Sequence, residues 1–287
     1  MNLTTDETGA SPDDGPKTED KSTIRSLARS IHVIQAINRH GSLALTEIAK
    51  AAGIPFPTAY RIVNTLVEEG LIEREPGRKR YRPTALIQSL ACGFQNHDRL
   101  VNVARPLMTE FTQQHHWPLC LVTRVGNKMV VRYHTSGHTT LTFSNYYPGW
   151  QVPLLASASG QVYVAFAEDD VQTSMLAQSH VMEGVSDPFI LREFQTRRAC
   201  QRIRDAGYAA VSKAHYSANP GKTSSIAVPV FERGELVGSL ALVFFANGMA
   251  LDKAANDFLA EIQNVAARID TELQRNPVQY NHLYAIN

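Results

Sequence analysis

Four cations, Arg78, Lys79, Arg80 and Arg82, crowd a five-residue window just after Pro76-Gly77. Ammonium and guanidinium groups on a turn suit phosphate oxygens, which hold a polyanion in place without reading its sequence. Upstream, Thr58, Tyr60, Arg61, Asn64 and Thr65 share a helical period with the apolar set Ala59, Ile62, Val63 and Leu66. If the apolar set packs inward, the polar set faces out, offering hydroxyl, amide and guanidinium groups to base edges in a DNA major groove. Thr46, in the preceding short helix, is placed with them. A second chemistry lies at Ala156-Ser157-Ala158-Ser159-Gly160, immediately before another helical pattern. Small side chains leave the first N–H groups of that helix open, and such an end accepts an anion such as a carboxylate.

Other chemistries fit less well. His115, His116 and Cys120 are close in sequence, but their spacing matches no closed zinc set, so no metal is expected. Cys92, Cys120 and Cys200 are odd in number and far apart, which predicts reduced, buried thiols. Residues 157–160, Ser-Ala-Ser-Gly, lack the Gly-x-Ser-x-Gly spacing of a nucleophile elbow. A serine hydrolase stays as the enzymatic alternative, with no catalytic residue and no cofactor expected. Gly221-Lys222-Thr223 lacks the upstream glycine of a phosphate-cradling loop.

The elements that must position these groups follow from composition and period. A chain of 287 residues with 44% apolar side chains can build two cores. No apolar run approaches the roughly 18 residues of a membrane span, and the first twenty residues are polar and acidic where a signal peptide is basic and then apolar. No membrane partner is expected, and the protein is assigned to the cytoplasm. The net charge of +1 hides a division. Residues 1–20 carry one Lys against six acids, residues 21–85 eleven Lys or Arg against five Glu, and the remainder sixteen of each. A basic module beside a neutral body is the electrostatic footprint of nucleic-acid binding; a solvated basic face is the alternative reading.

Residues 1–20, poor in large apolar side chains, are expected to be disordered. Ile24, Leu27, Ala28, Ile31, Ile34 and Ile37 predict a first helix with that face inward, stopped by Gly41. Thr46 is expected to N-cap a second helix, with Ile48, Ala49 and Ala52 inward and Gly53 as a left-handed exit. Pro57, which needs no N–H partner, is expected at the first position of a third. Pro76-Gly77 then joins two short strands into a wing. Residues 85–106 read as a linker helix, 107–275 as a second domain and 276–287 as a tail. Within the second domain Gly126-Asn127 marks a hairpin, residues 159–167 a helix and residues 187–207 one longer helix. Two apolar strands meet at Arg233-Gly234, and a last helix runs from about Asp252 to Leu273.

The run LTEIAKAAGIPFPTAYRIVNTLVEEGLIERE resembles the winged helix of the IclR family of bacterial transcription regulators, with matches at Leu45, Glu47, Ile48, Ala49, Gly53, Pro55, Thr58, Tyr60, Arg61, Leu66, Gly70 and Leu71. The resemblance implies a DNA-binding domain over 21–84, with the helix-turn-helix at about 45–64 and the wing at about 71–83. It also puts Phe56 and Pro57 at the DNA-facing turn, where the family usually carries a polar residue and a serine. It extends over roughly residues 23–275 through VPLLASASGQVYVAFA, AGYAAVS and SSIAVPVFERGELVGSLALV. The implied fold is α+β: a winged helix-turn-helix joined by a linker helix to a GAF-like antiparallel-sheet effector domain.

Carried over position by position, the family's effector contacts fall on Ala158 and Ser159, whose backbone groups meet a carboxylate, and on Val211, Ser225, Ala241 and Val243. Apolar residues at the last two positions, with Phe143, Tyr146, Tyr147 and Trp150 nearby in sequence, suit an aromatic acid. A core or dimer contact is the other use of those aromatics. Within the family, HHWPLCLVTRVGNKMVVRYH and LALVFFANGMAL look most like activators of hydroxyphenylpropionate breakdown. The expectation is a regulator of a catabolic operon that binds double-stranded operator DNA as a dimer or tetramer, answers an aromatic carboxylic acid and activates, with RNA polymerase as a further partner. A repressor answering a small aliphatic acid is the alternative, with the serine hydrolase behind it.

Overall fold

The computed structural model describes residues 24–91, 98–126, 128–142, 146–182, 187–216 and 219–275; the tails expected at 1–20 and 276–287, with Cys92, Asn127 and Phe143, lie outside them. Two units follow one another along the chain, Met1–Gly93 and Phe94–Asn287.

In the first unit, α1 (Arg25–His40), α2 (Leu45–Ala52) and α3 (Phe56–Glu68) pack with a small antiparallel sheet. Strands β1 (Leu43–Ala44), β2 (Ile72–Arg74) and β3 (Arg80–Pro83) lie in the order β1-β3-β2. Val33, Ile37, Ile48, Val63, Leu66 and Ile72 form the core. Three local expectations are corrected. Only Ile37 of the stripe expected inward on α1 is fully buried, together with Val33 and Ala36. Ile24, Leu27 and Ile31 instead stand 65%, 57% and 46% exposed on a second apolar stripe. Helix α2 is capped from Ala44, with exposed Thr46 inside it. Glu47 reaches back to accept the Ala44 N–H at 2.8 Å, the carboxylate half of a capping box, and no N-cap hydroxyl serves the first-turn N–H groups. Helix α3 opens at Phe56, so Pro57 takes its second position, where N–H groups also lack an intrahelical acceptor.

In the second unit, β4 (Leu119–Val125), β5 (Lys128–His134), β6 (Gln151–Val152), β7 (Ala209–Val211), β8 (Thr223–Glu232) and β9 (Glu235–Phe245) form one antiparallel sheet. Their order is β6-β5-β4-β9-β8-β7. Helices α4 (Arg99–His115), α5 (Ala158–Phe166), α6 (Asp169–Met182), α7 (Pro188–Gln195), α8 (Arg198–Ala206) and α9 (Leu251–Arg275) cover its faces. Period-two alternation sorts the strand residues. Leu119, Leu121, Ile226, Val228, Leu240, Leu242 and Phe244 face α4 and α9, where Met108, Phe111, Ile262 and Ile269 meet them. Cys120, Val122, Ala227, Ala241 and Val243 face the other way, toward α5, α7 and α8.

Where a linker helix over 85–106 is expected, Ala85–Leu90 forms a 3-10 turn and a helix opens at Arg99, running through Pro106. The single helix expected over 187–207 is two. Arg197 adopts φ 60°, and the break lets Leu191 and Phe194 on α7 and Cys200 and Ile203 on α8 all reach the same core. Helix α6 and the two-residue strands β1 and β6 are additions to the sequence reading. No described helix is long and apolar enough to cross a membrane.

The turn before α5 is fixed by its own hydrogen bonds. Ser157 Oγ donates to the Pro153 carbonyl at 2.6 Å and accepts the Gly160 N–H at 3.0 Å. Gln161 Nε2 donates to the Leu155 carbonyl at 2.8 Å. A Cβ on Gly160 would stand 2.0 Å from the Leu154 carbonyl oxygen, so the helix can lie this close to the turn only with glycine there. Gly160→Ala is therefore expected to destabilise the second unit by about 3 kcal/mol, the top of the usual overpacking range. Calorimetry should show that as a fall of roughly 6–12 °C in its melting temperature.

Candidate nucleic-acid interface and effector site

Helix α3 buries Ala59, Val63 and Leu66 and leaves Tyr60 and Phe56, each 49% exposed, on its outer side with Arg61 and Thr65. Thr58 and Asn64 are half-buried on its flanks. The polar face read from the sequence is thus presented on a rigid helix whose start is stiffened by Pro55 and Pro57. Beside it lies a groove of about 370 Å³ lined by Ser26, Arg29, Ser30, Thr58, Arg61 and Thr65. Arg29 and Ser26 are additions from α1. The sequence shows Arg29 as basic, but only the packing of α1 against α3 puts it next to Arg61. Arg29, with the hydroxyls of Ser26 and Ser30 beside it, suits a phosphate at the edge of the helix whose outer face carries Arg61.

The wing cations divide into two kinds. Arg78 and Lys79 are exposed at the hairpin tip, and their side chains have no ion-pair or hydrogen-bond partner among the described residues. Arg80 is engaged instead. Its Nη2 lies 3.0 Å from Glu47 Oε2 and 2.8 Å from the Ser42 carbonyl, and its Nε donates to Ser42 Oγ at 3.2 Å. The Glu47 carboxyl is held below its usual range first by the Ala44 N–H and then, against some desolvation, by Arg80. Arg82 pairs with Glu73 across the β2–β3 ladder. Of the three wing residues expected to meet DNA, Arg80 thus fixes the wing to the start of α2, and Arg78 and Lys79 carry its available charge.

In the second unit the six residues implied by family resemblance converge. Val211, Ser225 and Val243 face one another across β7, β8 and β9, and Ala227, Ala241 and Cys120 form the next row across β8, β9 and β4. Ala158 at the start of α5 packs into the same core. The N–H groups of Ala158 and Ser159 have no partner among the described residues, Ser157 having satisfied Gly160. Alternation puts Thr223 and Ser239 on this face too. Both are buried, and their hydroxyls lack any hydrogen-bond partner among the described residues. Thr223 lies near Val243 and Tyr146, whereas Ser239 lies level with Pro229, farther along β8, so the Thr223 hydroxyl and the two N–H groups are the ones a polar ligand at this site would satisfy.

That space is filled from within. Tyr146 is buried in the cluster, and the partly buried Tyr216 packs against it, near Tyr146, Cys120 and Ser225. Burial pushes the Cys120 thiol and the Tyr146 phenol each up to about 12, and raises the Tyr216 phenol further. Trp150 packs near Tyr146 and Tyr147, with ring centroids 6.1 and 5.2 Å away. The void left between Tyr146, Thr223 and Val243 is about 10 Å³, room for one water. A larger open groove, about 630 Å³, lies at His116, His138, Thr139 and Leu141 and includes none of the six.

The other candidates do not converge. His115 stacks on Phe111 and Phe258, on the α4–α9 side of the sheet, whereas Cys120 faces α5. Among the described residues no cluster of His, Cys, Asp or Glu is placed to hold a metal. Ser157 is spent as a helix cap, with both its donor and acceptor functions used locally.

A winged helix with a basic hairpin, followed by an antiparallel-sheet unit with a buried small-walled site, defines a ligand-responsive regulator of transcription that binds operator DNA. Residues 26–76 match the IclR helix-turn-helix domain and residues 94–271 the C-terminal domain of bacterial transcriptional regulator IclR. The chain belongs to the IclR family of bacterial transcriptional regulators. It is 26% identical to BhcR of Paracoccus denitrificans over 81% of this chain and 80% of that one. It is likewise 26% identical to TtgV of Pseudomonas putida, over 54% of this chain and 59% of TtgV, and 21% identical to the DNA-binding transcriptional repressor YiaJ of Escherichia coli over 87% and 88%. Among solved structures, an IclR homologue from Microbacterium hydrocarbonoxydans complexed with 4-hydroxybenzoate superposes with a TM-score of 0.63 at 24% identity, over 88% of this chain and all of that one. IclR of Thermotoga maritima gives 0.62 at 19%, over 86% and 98%. TtgV, BhcR and YiaJ are named as regulators of transcription.

The two kinds of wing cation separate experimentally. Arg78→Ala and Lys79→Ala are expected to keep the melting temperature and to flatten the slope of log K against log salt by about 0.9 for each phosphate that is no longer neutralised. Arg29→Ala should weaken operator and random DNA equally, with the same flattening. Arg80→Ala should instead lower the stability of the first unit, seen in its melting temperature without DNA. Arg61→Ala should cut the preference for operator over random duplex, by the roughly 1–3 kcal/mol that a bidentate base contact supplies.

Proposed function

We propose that this regulator answers an aromatic carboxylic acid, held with its carboxylate on the N–H groups of Ala158 and Ser159 and its ring against Val211, Ala241 and Val243. The carrying observation is the meeting of Val211, Ala241 and Val243 on one sheet face with Ala158 packed in the same core, together with the Thr223 hydroxyl and the Ala158 and Ser159 N–H groups, which lack partners among the described residues. An apolar wall flanked by Tyr146 and Trp150 suits a ring better than a two- or three-carbon acid. The 4-hydroxybenzoate complex of the Microbacterium homologue supports the same ligand class. On the DNA side we propose that Thr46, Phe56, Pro57, Thr58, Tyr60, Arg61 and Asn64 face the groove while Arg78 and Lys79 meet phosphates.

We further propose a homo-oligomer in the cytoplasm that activates a catabolic operon through RNA polymerase. The exposed stripe Ile24, Leu27 and Ile31 supports self-association, since an apolar face spaced like a helix–helix seam costs free energy in water. Activation is supported by the resemblance to the aromatic-acid activators. YiaJ and the acetate operon repressor of Salmonella typhimurium, 22% identical over 53% of this chain and 57% of its own length, support the repressor reading. In a defined transcription assay, activation predicts that acid and protein together raise the transcript, and repression that acid only relieves a block.

Ala158→Leu tests the site. Because Ala158 is buried, the variant should start about 1–3 kcal/mol less stable through overpacking. It should still shift operator DNA but gain nothing from phenylpropionate. The wild type should gain about 2.7 kcal/mol at a hundredfold excess over Kd. An equal gain in both proteins would remove the carboxylate from α5. Leu27→Glu should shift the mass measured by light scattering toward monomer and weaken operator binding; an unchanged mass would take the seam off α1.

A further inference from the structure

One irregularity in the sheet re-aims a side chain. Strand β5 pairs with β4 as His134 with Cys120, Tyr133 with Leu121 and Val131 with Val122, so the ladder skips Arg132. Directly opposite residues share a face, and the extra residue makes a β-bulge that reverses the alternation beyond it. Val131 lies in the core on the α5 side, Tyr133 packs with Leu121 on the α4–α9 side, and His134 returns opposite Cys120 to the α5 side. Without the bulge, a residue three places after Val131 would face the other way. Arg132 holds the bulge: its guanidinium donates to Asp98 Oδ2 at 2.9 Å and to Thr123 Oγ1 at 3.0 Å. His134 thereby extends the row Ala227, Ala241 and Cys120 by one strand. Its Nδ1 is buried and has no hydrogen-bond partner among the described residues. Burial first, and His138 second, lower the His134 pKa, so the ring is neutral at physiological pH. A row of three small residues thus ends in an unsatisfied imidazole nitrogen, and a buried polar atom costs free energy until something bonds it.

Resting on the effector reading above, we propose that His134 reads the far end of the effector: its Nδ1 bonds a hydroxyl on the ring, so the ligand class is a hydroxylated aromatic acid lying along this row. Helix α5 packs over β7, β8 and β9, which puts the carboxylate end there. From Ala241 the row crosses Cys120 to His134, two strand spacings or about 10 Å, the reach of a para-hydroxylated ring with a short acid chain. The void at Tyr146 is about 10 Å³, so room for the ring is made by the connecting segments that carry Tyr146 and Tyr216, while Ala241, Cys120 and His134 stay in the ladder. A neutral imidazole nitrogen is a donor or an acceptor according to tautomer, and a phenolic hydroxyl meets either. A second carboxylate does not suit it, since an unpaired charge would be buried beside a neutral ring. An acid without the hydroxyl leaves Nδ1 as unsatisfied as it is in the free protein and forgoes one hydrogen bond.

Calorimetric titration of the full chain with 3-(4-hydroxyphenyl)propionate and with 3-phenylpropionate tests this. Wild type should bind the hydroxylated acid about 2–10 times more tightly, the span of one ordinary hydrogen bond. His134→Leu should bind the two alike, losing that factor for the hydroxylated acid alone, whereas His134→Asn, whose amide can put a polar atom close to the position of Nδ1, should keep the preference. In wild type the His134 ring nitrogen signals in an NMR spectrum should move with the hydroxylated acid and stay in place with 3-phenylpropionate, a readout that holds even if His134→Leu fails to fold. Nitrogen signals that respond alike to both acids overturn the proposal, and so does a wild type without preference. An undiminished preference in His134→Leu overturns it too, as does an equal loss for both acids, which would make His134 a wall of the site. Those results leave the effector site standing as long as Ala158→Leu abolishes binding. If wild type binds neither acid, or Ala158→Leu leaves binding untouched, the effector site itself falls and this inference with it.

Discussion

The row Ala209, Ala227, Ala241 and Cys120 runs in register across four strands of one sheet, and the second unit is arranged around it. Along β8 and β9 Ser225, Ala227 and Ala241 on one face oppose Ile226, Leu240, Leu242 and Phe244 on the other, which makes the middle of the sheet lopsided, while Val122, Met129 and Val131 fill the first face on β4 and β5. The large face is satisfied by α4 and α9 in a close-packed apolar core. The small face admits α5 closely, because Gly160 lets the helix meet the Leu154 carbonyl, and it draws aromatic side chains from the connections to fill what remains. With the effector held as proposed, binding chemistry belongs to one face and stability mainly to the other.

The first unit shows a similar division at smaller scale. Glu47 caps α2 from inside and holds Arg80, and Arg80 reaches Ser42 beside β1, so one cation ties three segments of the winged helix together. Once that guanidinium is engaged, the wing's position relative to α3 is set by the protein, and the tip residues are left to meet a partner. Charge counted along the chain overstates the charge available at a surface.

Helix α3, the wing, the hairpin at Gly126 and the two long strands were legible in the sequence because each rests on local signals: a 3.6 or 2.0 period, a glycine at positive φ, a proline at a helix start. The misreadings have one common cause. Ile24, Leu27 and Ile31 have the right spacing for a buried face, but period alone does not say which of two stripes on α1 meets the core. Arg197 breaks α7 from α8 without a glycine or proline, since burying both helices against one core outweighs the cost of φ 60° for an arginine. The proposed effector residues came from resemblance, and the meeting of Val211, Ser225, Ala241 and Val243 on one sheet face depends on strand register, which no local pattern encodes. Tyr216 carried no signal of its own, because a tyrosine in a connecting segment looks the same whether it points to water or fills a hollow.

The Gly160 contact bears on how such a regulator acquires new specificities. The corner where α5 meets the 153–157 turn tolerates one residue type at its closest point and is cross-braced by Ser157 and Gln161. Mutational freedom there is close to nil. The facing strand positions, Ser225, Ala241 and Val243, are bounded by side chains rather than by backbone, and can change size or polarity while the ladder beneath them stays intact. If the acid sits where it is proposed to, a lineage exploring new inducers would keep the anion end as a fixed handle and vary the wall opposite, so that the acid group common to many metabolites is inherited and the rest of the molecule is what evolution chooses.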